Sequence, residues 1–297
     1  MFDAAPTPAL QQHICFARAL TALGTPGVAV GHDLALTRTF RTGLRVAMLA
    51  RATPDLAALP AQLKKAGLGR TPVILSPDHP MPKLAKLGAL ALMTPAHVAE
   101  LTLSDPDHMR AAQHQKWRNR LRRAERTSLR VARQNLPFTP NQPLFAADAA
   151  QQRAQNYRAW PVAMTLAYAK ANPGQAKLFT AFEGRDAVAA MLILRHGASA
   201  TYHIGYSTPR GRTLNAHALI LWHAALYLAA KGHTLLDLGY LDTHRAPGLA
   251  RFKLGSGADA RKLGGTWGWW PPLGRMLAPL ARLDRRAMAP LDSPARS

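Results

Sequence analysis

The residues with chemistry to offer lie mainly in the C-terminal half. In DLGYLDTHRAPGLARFKLGSG (237–257) an apolar strand-like run opens into Asp242, Thr243, His244 and Arg245. It continues into a helical stretch carrying Arg251 and Lys253. A lysine set among Phe252, Leu254 and glycines is an odd choice for packing alone. Near a strand end of a mixed sheet it is placed to hold an anion or a developing oxyanion. The plainer alternative is a lysine snorkelling from a surface helix. Upstream, STPRGRTLNAH (207–217) joins a strand to a long helix. Arg210, Gly211 and Arg212 fall just before the helix start, where exposed N–H groups and the helix dipole favour anions. A solvated basic turn would have the same composition.

Other chemistries are disfavoured by spacing. The chain has 12 histidines, yet His217 and His223 lie six apart on one helix and so face opposite ways. His196 and His203 sit on neighbouring strands without nearby carboxylates, and no HExxH occurs. The single cysteine, Cys15, rules out an internal disulfide and a cysteine zinc site. Its apolar surroundings fit a buried, inert thiol. We expect no metal. There is no GxSxG elbow for a serine nucleophile and no GxxxxGK[ST] phosphate loop.

Charge is the dominant compositional feature. Lys and Arg total 38 against 16 Asp and Glu, a formal net charge of +22 over 297 residues. That balance favours polyanionic partners. It concentrates in HQKWRNRLRRAER (114–126). As a helix this run puts Trp117, Leu121 and Ala124 on one narrow stripe. Lys116, Arg120 and Arg123 then fan along one flank, and Arg118, Arg122 and Arg126 along the other. A free nucleic-acid-binding tail would need no such apolar anchor.

Periodicity supplies the elements that must position these groups. Residues 27–50 read as two strands around a turn, 53–67 as a helix, 71–76 as a strand and 81–89 as a short helix. The run 90–103 reads as partly extended, and Ser104 or Asp105 with Pro106 forms a helix start for the basic segment. Residues 128–136 alternate like a strand, and 146–160 has strong helix propensity. Then come three strands over 177–207 with Gly-bearing turns, a long helix at 214–232 ended by Gly232, a strand at 233–240, a short helix at 246–257 and a last strand at 260–270. The order βββ–α–β–α–β implies an α+β fold with a mixed sheet. Beyond it, Leu273, Met276, Leu277, Leu280 and Leu283 form a stripe in a basic amphipathic stretch interrupted by Pro279.

The run from Thr201 to Trp270 resembles the C-terminal half of FemAB-type transferases, within the wider GNAT superfamily. The features are ordered: YHIGYS, a loop, LNAHALILWHAALYLAAKGH, LLDLGY and GLARFKLGSGA. That family carries a Gly-Leu-x-x-Phe-Lys-x-Gly-Phe-Gly-like box, matched here by Gly248, Leu249, Phe252, Lys253, Gly255 and Gly257, with Ser256 in place of the aromatic residue. KWRNRLRRAER resembles the basic helix between the two halves of such proteins. The resemblance covers more than half of the chain and implies a GNAT-like mixed sheet flanked by helices, in two halves with the N-terminal one reduced. It divides the chain into a reduced half at 1–113, a basic helix, strand and connector at 114–145, a transferase half at 146–272 and the basic tail at 273–297.

The activity implied is transfer of an acyl or aminoacyl group to an amine, from acyl-CoA or aminoacyl-tRNA, with no tightly bound cofactor. Lys253 is carried over as the residue touching the donor or the tetrahedral oxygen. Asp242, His203 and Tyr206 are candidates to take or orient the amine's proton. Arg210, Gly211, Arg212 and Asn215 would hold the donor, although the loop is an incomplete form of the Q/RxxGxG/A pattern of acyl-CoA enzymes. Lys116, Arg118, Arg122, Arg123 and Arg251 would line the route of an anionic substrate. Two other readings remain: a nucleic-acid-binding protein without catalysis, and a peripheral membrane enzyme modifying a lipid-linked amine. With no signal peptide and no apolar run of roughly 18 residues, a cytoplasmic location is expected, with the inner membrane face as its alternative.

Overall fold

The computed structural model describes residues 7–283. Its elements run α1 (Ile14–Ala22), β1 (Val28–Val30), β2 (Asp33–Thr39), β3 (Arg45–Ala52), α2 (Leu59–Lys65) and β4 (Val73–Pro77), then a 3-10 turn at Pro82–Leu87. β5 (Leu90–Met93), β6 (His97–Thr102), α3 (Pro106–Ala112), α4 (Gln115–Glu125), β7 (Arg130–Asn135), α5 (Pro143–Gln155) and α6 (Val162–Ala171) follow. The remainder is β8 (Ala176–Glu183), β9 (Asp186–His196), β10 (Ser199–Ser207), α7 (Pro209–Thr213), α8 (Ala216–Ala230), β11 (Leu235–Leu241), α9 (Pro247–Gly255), β12 (Asp259–Lys262), β13 (Thr266–Trp269) and α10 (Gly274–Leu283).

These elements form two compact units that do not follow the order of the chain. One takes the chain up to Gly24 together with Val98–Arg261; the other takes Thr25–His97 together with the chain from Lys262 onward. The boundaries expected at 113 and 145 fall inside the first unit, because the buried face of α4 belongs to its core. The chain is α+β, with two mixed sheets flanked by helices.

The unit centred on Thr25–His97 holds a six-stranded sheet in the order β1-β2-β3-β4-β13-β5. β3 and β4 are parallel, and α2 lies on the crossover that parallel pairing requires. Leu49, Val73, Leu75 and Trp267 cluster with Leu59 and Leu63 of α2. In the other unit a seven-stranded sheet runs β12-β6-β11-β10-β9-β8-β7. β7 to β10 form an antiparallel meander, as the alternating runs with Gly turns require. α8 then returns the chain to place β11 parallel to β10. Leu219, Ile220, Leu221, Ala224 and Leu228 of α8 are all buried. Its nearly continuous apolar surface fits a helix packed both on the sheet and against α4.

Several expectations change. The last strand is two, β12 and β13, in different sheets, because Gly264 and a left-handed Gly265 (φ 74°) break the run. Residues 27–50 give three strands, with the left-handed Gly31 making the extra turn. The helix of 53–67 starts only at Leu59, after Asp55 has folded the preceding turn onto itself. The segment after Asp105 is two helices. Asp105 caps α3 by accepting from the His108 N–H (2.8 Å), and the chain breaks at Gln113–His114, where the His114 N–H bonds to the Gly255 carbonyl (3.0 Å). α1 and α6, which the sequence reading did not anticipate, pack on each other. Among the described residues of α10 Gly274 and Ala281 are buried, while Met276 and Leu280 of the expected stripe are 76% and 54% exposed. The part of the expected tail beyond Leu283 lies outside the described residues. Among the described residues no helix is long and apolar enough to cross a membrane.

The anchoring of α4 is as expected: Trp117, Leu121 and Ala124 are buried. Leu121→Ala should cost about 2–5 kcal/mol, whereas Arg122→Ala on the exposed side should stay within about 0.5 kcal/mol. Denaturant midpoints at equal m-value check both.

Candidate active site

The site begins where two strands part. β10 and β11 pair only from Ser199↔Leu235 to Thr201↔Asp237. β10 then runs on to Ser207 and β11 to Leu241 without pairing to each other. In β10 the register against β9 slips between Tyr202 and Ile204, so His203 is an extra residue in the strand. In β11, Gly239 is left-handed (φ 78°), a conformation only glycine adopts freely. The Asp237 carboxylate takes the Gly239 N–H at 2.7 Å, and the Lys253 ammonium donates to the Tyr240 carbonyl at 2.8 Å.

A cavity of about 790 Å³ opens at these strand ends. β10 contributes Tyr202, Gly205, Tyr206 and Ser207, and α7 and α8 contribute Gly211, Arg212 and His217 with Asn215 between them. Trp117 and Arg120 come from α4, and Gln151 and Gln155 from α5. Arg245 precedes α9, which adds Gly248, Leu249 and Phe252. The lining holds three arginines and no carboxylate. Inside it the Tyr202 hydroxyl and His217 Nε2 are 3.1 Å apart. Tyr202 lies across Gly205, so closely that a Cβ there would fall on its hydroxyl. Burial lowers the His217 imidazole to about 4, against a smaller opposing effect of the Tyr206 backbone. Burial also raises the Tyr202 phenol. At neutral pH the pair is therefore an uncharged phenol against an uncharged imidazole, a couple able to pass a proton. Phe252 stacks near His217 at 5.3 Å between ring centres, and Trp117 near Phe252 at 6.2 Å.

The loop expected to cradle phosphate uses its own amides. Thr208 caps α7 by accepting from the Gly211 N–H at 2.9 Å. The N–H groups of Arg212, Leu214 and Asn215 go to the carbonyls of Thr208, Arg210 and Arg212. Arg210 makes a two-point ion pair with Glu183 at 2.6 and 2.8 Å. What this loop presents to the cavity is the Arg212 and Asn215 side chains. Beside the cavity, and sharing Trp117, Arg120 and Gly248 with it, a groove of about 450 Å³ runs between α4 and α9. Lys116, Arg120 and Arg251 line it. Gly255 lets the helices approach, since a Cβ there would press on the Trp117 ring.

The expected site residues thus separate. Tyr206, Gly211, Arg212 and Asn215 line the cavity, and Lys116 and Arg251 line the groove. Arg118 bonds to Gln115 at 2.8 Å, and Arg122 and Arg123 are exposed; none of the three lies on either wall. His203 points away from the cavity, with its Nε2 2.8 Å from the Thr165 hydroxyl and its ring 4.7 Å from that of Trp160. Asp242 takes the N–H groups of His244 and Arg245 at 3.0 and 2.7 Å, which hold its carboxyl below the usual range and make it a poor proton acceptor. Lys253 is 5% exposed, absent from the cavity wall, and lowered to about 8 by burial against the opposing pull of Asp237. Tyr202, His217, Arg245 and Gln151 also line the cavity, and the sequence alone assigns none of them a role there. The available signal was a tyrosine inside a strand and a histidine in the first turn of the long helix that follows. Among the described residues no cluster of His, Cys, Asp or Glu could hold a metal. Cys15 is buried, and its thiol is raised by that burial.

Residues 110–254 match the family model of the acetyltransferase (GNAT) domain. No curated protein matches the chain. Among solved structures, the crystal structure of FemX superposes with a TM-score of 0.72 at 14% identity, over 93% of this chain and 96% of that one. The C-terminal domain of a putative lysylphosphatidylglycerol synthetase from Agrobacterium fabrum gives 0.55 at 14% identity, over 93% of both chains. L-PGS from Bacillus licheniformis gives 0.53 at 14%, over 96% of this chain and 99% of that one. At such identities the likeness is one of fold.

Two outcomes test this geometry. Gly205→Ala should displace the Tyr202 ring, seen as loss of its nuclear Overhauser contacts to the His217 ring. His203, His217 and His233 are all held down at about 4 by burial. A histidine lowered on folding supports the native state above its unfolded value of about 6.5 and loses that support as pH falls toward the folded value. The urea midpoint should therefore drop between about pH 6.5 and pH 4, and His217→Gln should make that drop shallower.

Proposed function

We propose, from the match of residues 110–254 to the acetyltransferase (GNAT) domain model, that the chain transfers an aminoacyl group from charged tRNA to an amine. The observation carrying this choice of donor is the pair of anion sites. The strand-to-helix loop spends the amides of Gly211, Arg212, Leu214 and Asn215 internally, which leaves less backbone for a pyrophosphate. The groove beside the cavity offers Lys116, Arg120 and Arg251 as side-chain cations, the means by which proteins hold a polynucleotide backbone. Arg212 and Asn215 on the cavity wall support acyl-CoA as the second donor.

The chemistry follows from the Tyr202–His217 couple. The amine attacks the ester carbonyl held in the cavity, and the new C–N bond forms as the carbonyl oxygen takes the negative charge. The Tyr202 oxygen accepts the amine's proton while its own passes to His217 Nε2. When the C–O bond to the ribose breaks, that proton returns through the same pair to the leaving oxygen. Most of the rate comes from holding donor and amine together, with the proton path adding about 10²–10⁴. Lys253 acts as a positioning residue in this scheme: its bond to the Tyr240 carbonyl fixes the free end of β11. A non-catalytic nucleic-acid binder would have no use for a cavity lined by this pair.

The acceptor has a second reading. Met276 and Leu280 are exposed on α10, and one of the similar structures is named as a putative lysylphosphatidylglycerol synthetase domain. An amine carried on a lipid is therefore to be set against a soluble one in the assay.

The test is transfer of labelled amino acid from charged tRNA to a panel of amines, in solution and on anionic vesicles, with acyl-CoA as the competing donor. Tyr202→Phe and His217→Gln should each lower kcat about 10²-fold with donor KM little changed. Combined Lys116→Gln, Arg120→Gln and Arg251→Gln should raise donor KM and flatten its salt dependence by about 0.7 per lost phosphate contact. Transfer from neither donor removes the proposal, and transfer from acyl-CoA alone replaces the donor.

A further inference from the structure

The α5 wall of the cavity differs from the rest. Arg120, Arg212 and Arg245 enter from α4, α7 and the turn before α9, whereas α5 contributes Gln151 and Gln155. Behind Gln151 stands Asp148, only 8% exposed. Its Oδ1 accepts from the Tyr157 hydroxyl at 3.1 Å and its Oδ2 from Gln152 Nε2 at 2.7 Å. The Tyr157 oxygen in turn accepts from Gln151 Nε2 at 3.1 Å.

The direction of this chain is fixed from its inner end. A carboxylate only accepts, so the Tyr157 proton points at Asp148 and the phenol oxygen faces Gln151 as an acceptor. Gln151 must turn its NH₂ toward Tyr157, and its carbonyl Oε1 is left as an oriented acceptor on the cavity wall. The negative charge of Asp148 is felt inside: it adds to the upward displacement of the Tyr202 phenol. The α5 side thus combines an aimed carbonyl with a buried anion behind it, in a cavity whose charged lining residues are the three arginines.

We propose that the Asp148–Tyr157–Gln151 chain is a recognition site for an ammonium group, with Gln151 Oε1 accepting one of its N–H bonds. This rests on the transfer reading above only for its purpose. In that reading the ammonium belongs either to the amine acceptor or to the α-position of the aminoacyl donor. It divides the cavity by charge, with the polyanion held by arginines and the cation by α5. Asp148 and Tyr157 are positioning residues that act through Gln151.

Binding by calorimetry to the full chain separates this from the transfer reading. The probes are n-butylamine, for the acceptor, and L-alaninamide, for the donor's α-ammonium, each against its N-acetyl form. The wild-type protein should bind at least one amine and discriminate against its acetylated form. Gln151→Leu and Tyr157→Phe should weaken that amine about tenfold or more, the loss of one hydrogen bond to a charged group. Gln151→Glu should tighten it. Circular dichroism and thermal melts identify variants that fail to fold, and Tyr157→Phe, at a residue 37% exposed, is the conservative arm. Whichever probe loses affinity names the source of the ammonium. No discrimination by the wild type, or unchanged affinity in both Gln151→Leu and Tyr157→Phe, overturns the inference. If the amine pattern holds while neither donor supports transfer, the site stands and the proposed function falls.

Discussion

Parallel pairing between β10 and β11 ends after Thr201 and Asp237, and the cavity depends on that ending. Backbone groups released from a ladder need partners or water. On β11 the partners come from side chains: Asp237 holds the Gly239 N–H and the buried Lys253 ammonium holds the Tyr240 carbonyl. On β10 the extra residue at His203 puts Tyr202 on the same side as Gly205 and Ser207, at the cavity, while His203 packs elsewhere. Two glycines follow from the same closeness. Gly205 lies under the Tyr202 ring, and Gly211 lies against the Val188 carbonyl, where no Cβ fits.

The excess of positive charge has no single purpose. Arg110 pairs with Glu125 and lies over the Trp222 ring at 4.7 Å, and Arg133 lies over Tyr227 at 3.9 Å. Arg210 and Arg261 are tied to Glu183 and Glu100. Ion pairs near the surface orient segments more than they stabilise the fold. The cations that face ligand space are few: Arg120, Arg212 and Arg245 in the cavity, with Lys116 and Arg251 beside it. α4 has a direction only because Trp117, Leu121 and Ala124 are buried. That anchor sends Lys116 and Arg120 toward the groove and leaves Arg122 and Arg123 exposed.

Much of the fold was legible in the sequence. The meander of β8 to β10, the long α8, the strand β11 and the short α9 were all announced by alternation, apolar continuity and glycine stops. The α4 stripe was correct to the residue. The errors share a cause. β12 and β13 read as one strand because only Leu263, Gly264 and Gly265 separate them, and nothing local says that they join different sheets. α6, whose residues VAMTLAYAKA have no strong periodicity, packs on α1 through a contact distant in sequence.

For the site, the sequence by itself determined the inventory: the basic strand-to-helix loop, the helix that follows it, and the Phe252–Lys253 pair among glycines. Those follow from local preference, and local preference is written in neighbouring residues. The tertiary structure decided which of them meet. One inserted residue in β10 exchanged His203 for Tyr202 as the side chain facing the cavity, because strand faces alternate with every residue. Burial, a property of packing alone, made the His217–Tyr202 pair neutral and placed Lys253 on a backbone carbonyl. Asp148, read only as part of a helix, gained its meaning from Tyr157 and Gln151 beside it. Register, burial and juxtaposition are long-range quantities, and they exist only once the chain has folded.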